Sequence, residues 1–286
     1  MAISTFADQH TAGIVREAWS DMFMKELRQN NLLVNLLDKS YQVDAPRAGD
    51  TVKISQINAP TGDLLTIGTD ADTFSSEAIS TSQVEVVINK VAIASYEFED
   101  DALLLSQLGS QDSEIRAGLL HAVSKQMNTY LYSLMVPSAS APDHQLTTSD
   151  FNAATLSTAR LTAATAKWPN SEPWYLLVDP SYYSDILDDT TLASADYGAT
   201  DAPVIGGQLA RQRFGFNIFE DNSLSTDVGY AFYKDCIHVV MASQPTFKMS
   251  DLHSQHKRGK LLSVEVVFGA AVGIDGDEKM IKWTVS

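Results

Sequence analysis

Only one cysteine stands in this chain, Cys236, within Asp235-Cys236-Ile237-His238. With no second thiol there is no intrachain disulfide, and a reducing compartment is the simpler reading. No run of about 18 apolar residues is present, so no membrane-spanning helix is expected. The first residues, Met1-Ala2-Ile3-Ser4-Thr5-Phe6-Ala7-Asp8, lack the basic start and apolar core of a signal peptide, and the chain is expected to be intracellular when made. Basic residues are scarce: 20 Lys and Arg face 36 Asp and Glu, a formal net charge of -16. That deficit argues against tight or sequence-specific nucleic-acid binding, which needs clustered cations on phosphates, and it favours solubility.

Catalytic and cofactor signatures are also missing. Gly206-Gly207 lies near Arg211 and Arg213, but neither a phosphate-binding loop nor a dinucleotide fingerprint surrounds it, so these glycines read as turns. His253 and His256 with Asp251 have metal-like spacing yet lack further ligands nearby, and a solvated loop is expected. Asp275-Gly276-Asp277-Glu278 is too short for a calcium loop and reads as a hairpin turn before the last strand. Glu97, Glu99, Asp100 and Asp101 could split their pKa values, but crowding alone defines no pocket. Cys236 and His238 would share a strand face about 6–7 Å apart, beyond the reach of a nucleophile and its base. Cys236 therefore reads as a small buried hydrophobe. No nucleophile elbow is present, and neither a cofactor nor a metal is implied. The densest basic run, His256-Lys257-Arg258-Gly259-Lys260, fits a solvated loop or a salt-sensitive contact with another subunit or with phosphate.

What is present is an order of elements. Ile14, Val15, Trp19, Phe23 and Leu27 form the apolar stripe of an amphipathic helix between Thr11 and Leu27. Leu32 to Leu37 is a short apolar run suited to packing on the body or a neighbour. A strand is expected over Thr51–Ile57, through Val52 and Ile54, and a longer one over Thr81–Phe98, through Val84, Val86 and Ile88 and then Val91 and Ile93. The change of phase between Ile88 and Val91 implies a bulge or bend. Between the strands lies a polar stretch without a core of its own, and a projecting two-stranded loop needs outside support. The spacing of Ile115, Leu119, Val123, Met127, Tyr130, Leu131 and Leu134 predicts a long helix over 113–136, capped by Ser113 and stopped by Pro137. A third helix is expected from Ser149-Asp150 toward Trp168. Trp174–Val178 reads as a buried strand, Asp179-Pro180 as a helix start, and residues 175–235, with ten acidic and three basic residues, as a subdomain with acidic loops. Cys236–Val240, Leu261–Phe268 and Lys279–Val285 are the remaining strands.

In this order the segments resemble the major capsid proteins of tailed bacteriophages. The resemblance implies an α+β capsid fold with an N-terminal arm (1–48), an extended loop with peripheral-domain strands (49–100), a peripheral domain with a spine helix (101–174), an axial domain (175–240) and a return to the peripheral domain (241–286). Thr11–Tyr41 is similar to the arm. Gly49-Asp50-Thr51-Val52-Lys53-Ile54 with the return through Phe98 is similar to the loop that overlies a neighbouring subunit. It further implies pentamers and hexamers closing an icosahedral head around double-stranded DNA, assembled in the host cytoplasm with a portal protein. No long charged helical segment precedes the arm, which implies a separate scaffolding protein. The loop from Gly62 to Ile79 has no lysine, which argues against lysine-to-asparagine cross-linking there and leaves noncovalent area or a cement protein to strengthen the shell. A decoration or tail component, or an intracellular enzyme, are the alternative readings.

Overall fold

The computed structural model describes residues 31–39, 49–66, 74, 76–99, 112–138, 141–193, 212–255 and 257–285. The stripe of Ile14, Trp19, Phe23 and Leu27 lies outside them. The chain is α+β, built on two main sheets and one long helix.

The short helix α1 (Leu33–Leu36) presses Leu33 and Val34 into the body. The apolar run 32–37 thus packs on its own chain, against helix α2 (Asp112–Leu134). This helix has 23 residues, about 34 Å at 1.5 Å per residue. It already includes Ser113, so Ser113 is a helical residue rather than the cap, and helix geometry ends at Leu134, ahead of Pro137. Leu119, Val123, Met127 and Leu131, spaced at every fourth position, are buried, with Ile115 and Leu134 half-buried beside them. They rest on a sheet ordered β10 (Thr246–Asp251), β11 (Gly259–Val272), β3 (Lys90–Glu99), where β9 (Ile237–Met241) also pairs with the far end of β11. Ala92, Val264, Val266 and Phe268 form the sheet's half of that core. Tyr130 meets Phe268 edge to face at 5.7 Å.

The second sheet has the order β4 (Gln145–Thr147), β12 (Met280–Thr284), β8 (Gly229–Tyr233), β5 (Trp174–Val178), β7 (Phe216–Glu220), β6 (Gln212–Arg213). Both of its faces are covered. Leu176, Val178, Ala231, Ile281 and Trp283 pack with α3 (Ala153–Thr165) and α4 (Pro180–Asp188), while Leu177, Tyr230, Phe232 and Met280 join the core of the long helix. Two-sided burial explains why β5, Trp-Tyr-Leu-Leu-Val, shows no polar alternation. Segments 101–174, 175–240 and 241–286 all contribute strands to this one sheet.

Helix starts follow local chemistry. Asp179 caps α4 by accepting from the N–H groups of Ser181 and Tyr182, both at 3.2 Å, with Pro180 at the first turn. Helix α3 begins at Ala153 rather than near Ser149-Asp150, and Asn152 caps it: its Oδ1 takes the N–H groups of Ala154 and Thr155 at 3.0 and 3.1 Å. The segment Asp275–Glu278 is not a hairpin turn. It carries the chain through a single 3-10 turn from β11 in one sheet to β12 in the other.

Candidate functional site

The anticipated bend near Ile88 is a change of sheet. Strand β2 (Thr81–Val87) pairs antiparallel with β1 (Thr51–Ile57) in a separate ribbon, and two residues later β3 enters the sheet under the long helix. The pairing Val52↔Val86 and Ile54↔Val84 gathers one apolar face, and Lys53 pairs with Glu85 at 2.8 Å on the other. Two further bonds clamp the root: Gly49 N–H donates to Ile88 O at 2.8 Å, and Ile88 N–H to Asp50 O at 3.0 Å.

Ile54, Val86 and Ile88 are buried against Val240, with Val52, Val267 and Ala271 around them. The seat depends on a missing side chain: a Cβ on Gly269 would stand 2.4 Å from Val87 O. Glycine here lets the ribbon cross β11 at backbone contact. Val84 is half-buried further out.

Beyond the seat, polar bonds tie the described residues of the ribbon together. Asn58 N–H donates to Ser80 O at 3.0 Å, Ser82 Oγ to Asn58 Oδ1 at 3.1 Å, and Thr61 N–H to Glu77 Oε2 at 3.2 Å. Its apolar side chains point into solvent: Leu64 is 98% exposed, Ile79 84%, Phe74 74% and Ile57 71%. On the outer face of the neighbouring sheet Val91 and Ile93 are more than half exposed. Such groups gain about 1.5–3 kcal/mol each when fully covered.

The chemical candidates are scattered by comparison. Glu97 forms an exposed ion pair with Lys257 at 2.8 Å, and Asp100 and Asp101 lie outside the described residues. His253 is exposed, His256 is outside, and among the described residues no group of three His, Cys, Asp or Glu could hold a metal. Arg213 Nε donates to Leu192 O at 3.2 Å. Cys236 sits in a 3-10 turn and so does not share a strand face with His238; it is wholly buried, and burial pushes its thiol well above the ordinary range. His238 faces Asp38 instead. Sequence reasoning missed Gly269 and Asp38, since nothing local distinguishes either one.

The profile of the family described as Phage capsid protein matches residues 37–283. The chain belongs to that family. No curated protein matches it. Among solved structures, one from Mycobacterium phage Che8 is 20% identical with a TM-score of 0.76, covering 99% of this chain and 98% of its own. The "Capsid structure of the Cyanophage P-SCSP1u" is 13% identical with a TM-score of 0.73 over 96% and 94%. The "Asymmetric unit of bacteriophage PhiM1 mature capsid" is 12% identical with a TM-score of 0.69 over 95% and 92%. At such identities the likeness is one of fold, and it runs through nearly the whole chain. In this phage capsid protein the ribbon of β1 and β2, with the chain that joins them, carries the four most exposed large apolar side chains among the described residues.

Proposed function

We propose that the protein is the major capsid protein of a tailed phage and assembles, as pentamers and hexamers, into an icosahedral head around double-stranded DNA. The observation that carries this reading is the ribbon. It is firmly seated at Ile54, Val86 and Ile88, while Ile57, Leu64, Phe74 and Ile79 at its outer end touch little of their own chain. A self-contained catalyst has no use for such a projection; a shell subunit covers it with the next copy. The end-to-end likeness to proteins described as capsid and mature capsid supports the same reading.

In this account residues 1–48 are the arm, acting through Ile14, Trp19, Phe23 and Leu27; 49–100 hold the extended loop; 101–174 hold the spine helix with Ile115, Leu119, Val123, Met127 and Leu134; 175–240 form the axial domain; and 241–286 return to the peripheral domain. At roughly 25 cal/mol per Å² of apolar area, many modest contacts close a shell while each stays reversible during growth. A separate scaffolding protein directs curvature, a portal protein occupies one vertex, and noncovalent area or a cement protein adds strength. Assembly takes place in the host cytoplasm, and the product is the virion head. An inner wall that carried the acidic excess would let packaged DNA slide without adsorbing.

Sedimentation velocity of the chain, alone and co-expressed with the neighbouring candidate scaffold gene, tests the proposal. Shell-sized particles, or capsomers of five and six copies, are expected. Discrete trimers, rings or tubes would favour a decoration or tail component.

A further inference from the structure

Strand β3 is an edge. It runs ten residues, from Lys90 to Glu99, and β11 takes one side of it. On the other side, among the described residues, no strand pairs with it, and no main-chain hydrogen bond outside the β11 ladder involves Lys90 to Glu99. Every second residue of such a strand directs its N–H and C=O away from the sheet. Beside it a cavity of about 370 Å³ is lined by Lys90 to Ile93 and by Gln126 and Tyr130 of α2. Successive strand residues face opposite ways, so a cavity that touches all four of Lys90 to Ile93 opens around the edge itself.

Exposed edges are ordinarily guarded by charge, by proline or by being short. The opposite edge of this sheet is guarded: β10 has six residues and carries Lys248 and Asp251. In β3 the run Val91-Ala92-Ile93-Ala94-Ser95-Tyr96 holds neither a charge nor a proline. Val91 and Ile93, on the outer face, are 58% and 57% exposed. Alternating main-chain donors and acceptors flanked by aliphatic side chains are met by another extended peptide.

We propose that β3 pairs antiparallel with β3 of a second copy across a two-fold axis, so that the two sheets continue as one. The choice of a second copy rests on the assembly reading above; the open edge does not. A shell of pentamers and hexamers needs contacts between capsomers, and an isologous strand pair supplies one. A two-fold axis normal to the sheet keeps the outer face outward, so residues of the same face must oppose one another and the axis runs between a residue and its own counterpart. Centred on Ile93, the pair uses Lys90 to Tyr96 of each copy. Ile93 meets Ile93, Val91 lies diagonally beside it, and the four aliphatic side chains cover one another. On the helix side Lys90, whose ammonium is 5.2 Å from the centre of the Tyr130 ring, faces Tyr96 of the second copy. Other registers are worse. Centred on Ala94 or Ser95, Val91 or Ile93 faces Glu97, which already pairs with Lys257 at 2.8 Å. Centred on Ala92, the pair is cut short at Ile88, whose main chain is tied to Gly49 and Asp50.

Cysteine cross-linking tests this against a silent background, because the single native thiol, Cys236, is wholly buried. Opposed residues of an antiparallel pair have Cα atoms about 4.5–5.5 Å apart, within the span of a disulfide. Particles of Ile93→Cys are therefore expected to give a covalent dimer on mild oxidation. Ser95→Cys alone is not, since its counterpart lies about 13 Å along the strand, whereas a mixture of Ser95→Cys with Val91→Cys should link. Particles in which Ile93→Cys stays monomeric, or links no better than Ser95→Cys, overturn the pairing. A link between Ile93→Cys and Leu64→Cys copies, without the self-link, would give the edge to the ribbon of another copy and overturn it too. Ile93→Lys sets like charges across the axis and should raise the concentration needed for assembly about tenfold, with an equal mixture of Ile93→Lys and Ile93→Glu restoring it. Unchanged assembly of Ile93→Lys also contradicts the pairing. A chain that forms no particles fails the assembly reading; oxidation of concentrated soluble Ile93→Cys then decides the edge, a self-link keeping the pairing and its absence removing it.

Discussion

His238 Nδ1 stands 3.5 Å from a carboxylate oxygen of Asp38, and both side chains are almost fully excluded from solvent. The main chain ties the same place: Asp38 N–H donates to Lys234 O and Val239 N–H to Asp38 O, each at 3.2 Å. This is where the segment after α1 joins the body. Desolvation is the largest influence on His238 and lowers its pKa; Lys279 acts the same way, while Asp38 and Asp235 oppose it. A lowered folded value means that the unfolded chain binds the proton more readily. The stability contributed by neutral His238 is therefore complete above the unfolded value of about 6.5 and is lost as pH falls through the lower folded value. Asp235, raised by desolvation and then by Asp38, acts in the opposite sense at more acid pH. The melting temperature is expected to fall between pH 7.5 and 5.5, and His238→Gln to flatten that slope; an unchanged slope in the variant would contradict the assignment.

The core of the long helix makes a simpler prediction. Leu119 is 2% exposed among Val123, Met127 and the sheet residues. Leu119→Ala should cost about 2–5 kcal/mol in urea unfolding, by lost transfer energy and the cavity left behind. A cost below about 1 kcal/mol would mean that the helix is not packed as described.

At the ribbon's seat, Gly269→Ala places a methyl group against Val87 O. Overpacking of this kind costs about 1–3 kcal/mol, and it should loosen β1 and β2 specifically, with faster amide exchange at Gly49 and Ile88. Gly62→Ala, with nothing within 4 Å of its added Cβ, is the matched control and should stay within about 0.5 kcal/mol of wild type.

The outer end of the ribbon behaves in the reverse way. Leu64→Ser should leave the unfolding energy of the isolated chain within about 0.5 kcal/mol, because the residue is 98% exposed. Assembly should suffer: losing about 1.5–3 kcal/mol of burial per contact raises the concentration needed for assembly by ten- to a hundredfold, read by light scattering. Equal loss of fold and assembly would place Leu64 in the chain's own core.

Local patterns were legible where one segment decides its own state. The spacing of Leu119, Val123 and Met127 marked the long helix, Trp174–Val178 marked a buried strand, and Asp179-Pro180 marked a helix start. The phase change at Ile88 was visible, but its meaning was not, since a bulge and a switch of sheets leave the same alternation. Long-range pairing was hidden as well. Nothing in Met280–Thr284 announces β8 as its partner, and that pairing turns Asp275–Glu278 from a hairpin into a crossover. The open edge of β3 likewise becomes visible only once β11 has taken its other side.

The most direct measurement is cryo-electron microscopy of the purified chain, expressed alone and with its neighbouring candidate scaffold gene. The account predicts closed icosahedral shells in which the ribbon of β1 and β2 lies on the adjacent copy, with Leu64, Phe74 and Ile79 covered. A chain that remains a compact monomer in both preparations, with those side chains still in solvent, would contradict it.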